Sequence, residues 1–251
     1  SSAASDVYKR QLLTSGASAG LAAAFNAPLA GVIFALEELH RNFSIMVLLP
    51  SMAAAFTATI ISRAIFGRAT IFDIPDLQLL PISYYGIVIL VALASGLAGV
   101  IFNWGLLNIG RFYSLPCFKR PVQKIAFALI CAGILGYFLP EVLGGGNDLI
   151  NHLAKAPVSL QLLLIFLAGK LIFTLISYGC GVPGGFFLPM LVIGALCGSI
   201  CAQILIMLGW IEPAYATNIM VVAMAALFAS SVRAPITGTV LIMEMTASYQ
   251  Q

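Results

Sequence analysis

Apolar residues run through this chain in blocks of helical length, separated by short clusters of Gly, Pro, Asn and charge. The long blocks cover about 43–65, 82–107, 125–139, 160–178, 187–210 and 218–231. A helix needs roughly 20 such residues to cross a bilayer, so most of these blocks enter or cross one. Two shorter segments lie near the ends, at about 12–25 and 234–245. The first, LLTSGASAGLAAAF, is rich in small residues and carries Gly16 and Gly20 at GxxxG spacing, which predicts close packing on a neighbouring helix. Asn26-Ala27-Pro28 then breaks the chain, because Pro28 restricts its predecessor and suits the first turn of a new helix. That helix, about Pro28 to Leu39, is only about 18 Å long at 1.5 Å per residue. It is too short to cross, and it ends in Glu37, Glu38, His40 and Arg41. Pro50 predicts a kink in the block that follows.

The most informative interruption is Gly181-Val182-Pro183-Gly184-Gly185-Phe186-Phe187-Leu188-Pro189. Three glycines and two prolines cannot continue a helix, so the backbone breaks between two apolar runs. The break leaves N–H groups at the start of the helix from about Phe187. These groups and the positive end of the helix dipole suit an anion. Irregular backbone at membrane depth survives only where protein buries it or where it lines a watery cavity. Broken helices of this kind mark binding sites in many transporters. The competing reading is a plain helix–loop–helix corner at the membrane surface. A second break, Gly144-Gly145-Gly146-Asn147, lies between blocks 125–139 and 160–178.

Composition sharpens the class. Of 251 residues, 61% are hydrophobic and 8% charged, and the mean hydropathy is +1.04. Soluble domains carry roughly 25% charged residues, so the chain is read as an all-α, multi-pass integral membrane protein. Segments of this length differ from the ~10-residue alternating strands of an outer-membrane barrel. A net charge of +3 is too small to suggest nucleic acid. The loop 111–124 holds Arg111, Lys119, Arg120 and Lys124 without an acid, so it is expected on the cytoplasmic side. Alternation then places loop 66–81, with Arg68, Asp73 and Asp76, outside and His40-Arg41 inside.

The reactive side chains exclude several chemistries. Cys117, Cys131, Cys180, Cys197 and Cys201 lie mostly in apolar runs without a paired framework. His40 and His152 lie far apart, and neither HExxH nor GxSxG occurs, so no metal site and no enzyme is expected. Lys170 stands in the middle of LLLIFLAGKLIFTLIS, where a charge is expensive. It is expected to pair with an acid such as Glu244 or to snorkel, the alternative being a positive potential that draws anions. Arg233 is expected to meet carbonyls or an acid at a helix start, and Glu244 to be structural.

An internal repeat organises the whole. Asn26-Ala27-Pro28-Leu29-Ala30-Gly31 matches Arg233-Ala234-Pro235-Ile236-Thr237-Gly238, and each copy reaches an acid at the same offset, Glu37 and Glu244. Every matched pair is separated alike (235 − 28 = 207). Internal symmetry of this kind is typical of transporters built from two related halves. Gly185 lies 50 residues before Pro235, so its counterpart in the first copy falls before Ser1 (28 − 50 = −22). The chain is therefore expected to start inside the first repeat. The expected division is a polar tail at 1–10 outside the pattern of the rest, the C-terminal part of a first repeat at 11–80, and most of a second, without its final helices, at 81–251.

AAAFNAPLAGVIFALEEL (22–39), GVPGGFFLPM (181–190) and SSVRAPITGTVLIMEMT (230–246) resemble the CLC family of chloride channels and proton/chloride antiporters. The resemblance runs from about Gln11 to Tyr249. It implies an inverted-topology repeat with broken, partly non-spanning helices. It implies a chloride ligand at Gly185, Phe186, Phe187 and Pro189, with the anion meeting the amides of Phe186 and Phe187. It implies proton transfer through Glu38, with Glu37 beside it, no cofactor, and a homodimer in the lipid bilayer contacting through segments matching 28–39, 43–65 and 234–246. A bacterial inner or plasma membrane is the expected location. Two further family loops and an inner tyrosine are absent, and they are expected beyond Ser1 and Gln251. The function implied is proton-coupled chloride exchange; the alternatives are a passive chloride channel and a truncated scaffold that transports nothing.

Overall fold

Proline and glycine punctuation decides where the helices stop. A computed structural model describes residues 2–41, 43–67, 71–72, 74 and 77–246, with side chains from Tyr8 onward. Arg68, Asp73 and Asp76, the charges of the loop expected outside, lie beyond the described residues. Among the described residues there are ten α-helices and no strand. They are α1 (Ser2–Phe25), α2 (Pro28–Phe34), α3 (Ile45–Phe66), α4 (Tyr85–Phe112), α5 (Pro121–Phe138), α6 (Asn147–Lys155), α7 (Leu160–Gly179), α8 (Phe187–Met207), α9 (Ala216–Val232) and α10 (Pro235–Thr246). Six helical segments are long and apolar enough to cross a membrane: 45–66, 82–112, 121–138, 160–179, 187–207 and 213–232.

Several boundaries differ from the apolar pattern. α1 reaches back to Ser2, ahead of the apolar stretch, because no Gly or Pro interrupts residues 2–13. α2 ends at Phe34 and continues as a π turn, Ala35–His40, that closes on Arg41 in a left-handed conformation (φ 53°). Pro50 stays inside α3, whose start is capped by Ser44 accepting from the Met46 N–H.

The chain forms two units. The first joins Ser1–Asp73 to Val232–Gln251, and the second is Ile74–Ser231. In the first unit α1 packs on α2 and α3, and α10 packs on α2. The buried stripe of α1 is Thr14, Ser18, Leu21 and Ala22. Gly16 and Gly20 fall on the opposite, exposed face and meet nothing, so their spacing does not carry the close approach expected of it. Gly31 of α2 makes that approach instead: a Cβ there would stand 2.6 Å from the Ser18 carbonyl.

In the second unit α8 is the central helix. Over half of its apolar window (56%) is buried, against none for α5. It packs on α4, α6 and α7, and its small face, Gly194 and Gly198, meets α9. Added Cβ atoms would lie 2.8 Å from the Met224 Cα and 2.6 Å from the Met220 Cα. This GxxxG pair is the one that brings two helices together.

Candidate functional site

The break before α8 opens onto a cavity of about 330 Å³ in the second unit. Gly184, Gly185, Phe186 and Pro189 line it from the loop and the first turn of α8, and Lys170, Thr174 and Tyr178 line it from α7. Gly181 turns the chain with φ 84°, a left-handed conformation in which a side chain is strained. The ladder of α8 begins where the Met190 N–H donates to the Phe186 carbonyl (3.0 Å). The first-turn amides therefore precede the ladder, and no side chain caps them through Phe186. A Cβ at Gly185 would meet no atom within 4 Å, so the backbone there is open to the cavity. Phe187 begins α8. Its ring stacks on Phe186 (5.1 Å between centroids) and tilts against Phe228 (5.6 Å). Tyr178 meets Phe186 edge-on at 5.6 Å. Gly185, Phe186 and Pro189 are thus brought onto one cavity, and Phe187 holds the helix start in an aromatic cluster.

The other wall is the second glycine break. Gly144 lines the same cavity. The Lys170 ammonium, 1% exposed, donates to the Val142 carbonyl (2.9 Å) and to the Gly144 carbonyl (2.8 Å). Among the described residues the Lys170 ammonium is found on the carbonyls of this broken backbone rather than on an acid. Each glycine of the break has its own reason. Gly144 and Gly146 have φ of 63° and 92°; a Cβ on Gly145 would overlap the Leu188 side chain, and one on Gly146 would lie 2.7 Å from Val192. The turn therefore seats directly on the first turns of α8.

The two acids of the first repeat copy lie in the first unit and face different ways. Glu37 accepts from the Ile236 N–H (3.1 Å), the Thr237 N–H (2.7 Å) and the Thr237 hydroxyl (2.7 Å), so it caps α10. Glu244 of α10 accepts from the Leu29 N–H (3.1 Å) and the Ala30 N–H (2.8 Å), so it caps α2. Glu38 opens onto a pocket lined by Leu36, Glu37, Arg41, Phe43 and Arg233, and its carboxylate lies 3.6 Å from Arg41. Glu37 is thus held in a cap, and Glu38 keeps a partly exposed carboxylate beside the Arg41 guanidinium. Arg233, expected at carbonyls or an acid, shares that pocket with Glu38. The residues two before each proline, Asn26 and Arg233, both have left-handed backbones (φ 50° and 63°).

Helix starts and paired caps give each of the three resembling segments a structural role. A family model described as voltage gated chloride channel matches residues 1–251. The chain belongs to that family. The H(+)/Cl(−) exchange transporter ClcA of Vibrio vulnificus is 36% identical over 253 residues, covering 97% of this chain and 53% of that protein. ClcA of Salmonella agona is 37% identical, covering 96% of this chain and 52% of its own length. The crystal structure of a slow cyanobacterial Cl−/H+ antiporter superposes with a TM-score of 0.87 at 31% identity, over 96% of this chain and 57% of that one. A CLC-type fluoride/proton antiporter shares the fold, with a TM-score of 0.74 at 23% identity over 96% of this chain and 63% of that one. The chain spans about half the length of the curated relatives it matches. As a voltage gated chloride channel family member it is an integral membrane protein, in keeping with its six candidate spans.

Sequence reasoning finds the glycine–phenylalanine loop and marks both the second glycine break and Lys170, but does not bring these together as the opposite wall. Three consecutive glycines and a lysine inside the next apolar run are the available signal.

Proposed function

We propose that this chain is part of a membrane protein that exchanges chloride for protons. The anion sits at the start of α8, and Glu38 passes protons. The observation that carries this reading is the cavity in which a helix start, an open glycine and a buried ammonium converge. First-turn amides and the dipole favour negative charge without a cation cofactor. The relatives named exchange transporters support proton coupling over passive conduction. Within the acid pair, the relay falls to Glu38, since the Glu37 carboxylate already accepts three bonds from α10. Two copies associate in the bilayer through segments 28–39, 43–65 and 234–246.

The test is flux in liposomes with the protein that carries this chain. An outward chloride gradient is expected to drive protons inward against their own gradient, and Glu38→Gln to abolish that uptake while chloride still flows. Chloride flux without proton movement in the unsubstituted protein would replace exchange by a channel. Absence of both fluxes would favour a scaffold.

A further inference from the structure

We infer that Lys170 is an anion-affinity residue of the α8 cavity, whose charge is balanced by the transported anion rather than by a carboxylate. The inference deepens the reading of that cavity as an anion site and rests on it. Lys170 is 1% exposed in the middle of an apolar span. The ion pair found among the described residues, Arg41 with Glu38, does not involve it. An ammonium has three N–H donors, and two of them go to the Val142 and Gly144 carbonyls. Carbonyl dipoles solvate a charge, but they do not cancel it. A buried cation without a counter-charge is costly, and inside a membrane segment such residues face protein partners or a watery pathway. Lys170 and its acceptor residue Gly144 both line the cavity that Gly185, Phe186 and Pro189 line from the other side. Space around the ammonium is kept by Gly146, where a Cβ would stand 3.2 Å from Nζ. The first turn of α8 adds its partial positive charge at the same cavity. A small anion entering there would meet amide dipoles on one wall and a full cation on the other.

Chloride binding to the purified protein, measured by titration calorimetry, tests this. Lys170→Met is expected to weaken binding at least about tenfold, equivalent to about 1.4 kcal/mol. Lys170→Arg is expected to keep affinity within a few-fold, because it keeps the charge. A residue that only props the glycine turn would lower the melting temperature in both variants and leave the affinity of the folded protein alone; that result overturns the inference. Should Lys170→Met fail to fold, crystals of the unsubstituted protein grown in bromide decide. An anomalous peak in the cavity between Lys170 and Gly185 supports the inference, and bromide bound only away from Lys170 overturns it. Unsubstituted protein that binds no chloride removes the anion reading of the cavity itself, a failure distinct from equal affinities of wild type and Lys170→Met.

Discussion

Glu37 and Glu244 hold the same place in two copies of one motif, and each closes the N-terminus of the other copy's helix. The arrangement makes α2 and α10 antiparallel. It satisfies donors that these helix starts leave open, since the residues before the prolines, Ala27 and Ala234, carry no side chain that can cap. Bonds from amides to a carboxylate are charge-assisted and short, as the 2.7 and 2.8 Å distances are.

Loss of either cap should cost the first unit about 1–2 kcal/mol. Glu37→Ala and Glu244→Ala are each expected to lower the melting temperature in detergent by several degrees, with Glu37→Ala, which loses three bonds, at least as damaging. A melting temperature unchanged by both would remove the caps from the account of stability.

Burial pushes the Glu244 carboxyl above its ordinary range; the Ala30 and Leu29 amides and Arg63 pull it back without winning. A raised value in the folded state means that folding favours the protonated form. The stability this group contributes is therefore complete below the ordinary carboxylate value and is lost as pH rises through the raised one. Because glutamine mimics the protonated carboxyl, the unsubstituted protein should melt close to Glu244→Gln at about pH 4 and lose stability relative to it towards about pH 7. A difference independent of pH would show that the carboxyl titrates alike folded and unfolded.

Glycines separate cleanly into seated and unseated ones. Gly146→Ala forces a side chain onto φ 92° and against Val192, so it should destabilise by at least about 1 kcal/mol. Gly16→Ala and Gly20→Ala meet open space and should be neutral or stabilising by up to about 1 kcal/mol. Thermal melts of the three variants check the ordering.

Gly198→Leu should be far worse than either kind, since even a Cβ there would press on the backbone of α9 at Met220. Overpacking of this kind typically costs about 1–3 kcal/mol. Loss of folded, monodisperse protein on size-exclusion chromatography is the expected outcome.

Much of this architecture is legible in the residues themselves. The spans follow from runs of apolar residues, the breaks from Pro28, Pro183, Pro189 and the glycines, and the pairing of two motif copies from the repeat of Ala-Pro, Gly and Glu, though not their mutual capping. What is not legible depends on phase and on neighbours. Gly16 and Gly20 have the spacing of a packing motif but face away from the partner, whereas Gly194 and Gly198 face α9. The π turn at Ala35–His40 has no local Gly or Pro to mark it. Lys170 invites pairing with an acid, yet unpaired carbonyls at a broken turn are the nearer acceptors.

The mutual capping of α2 and α10 also imposes an order of events during synthesis. The Leu29 amide and the Glu244 carboxylate that receives it are 215 residues apart in the chain. At translation rates of about 5–20 residues per second, α2 waits roughly 10–40 s for its cap. During that interval the whole second unit emerges and can fold first. The first unit, whose opening helices leave the ribosome ahead of the second, is thus completed last.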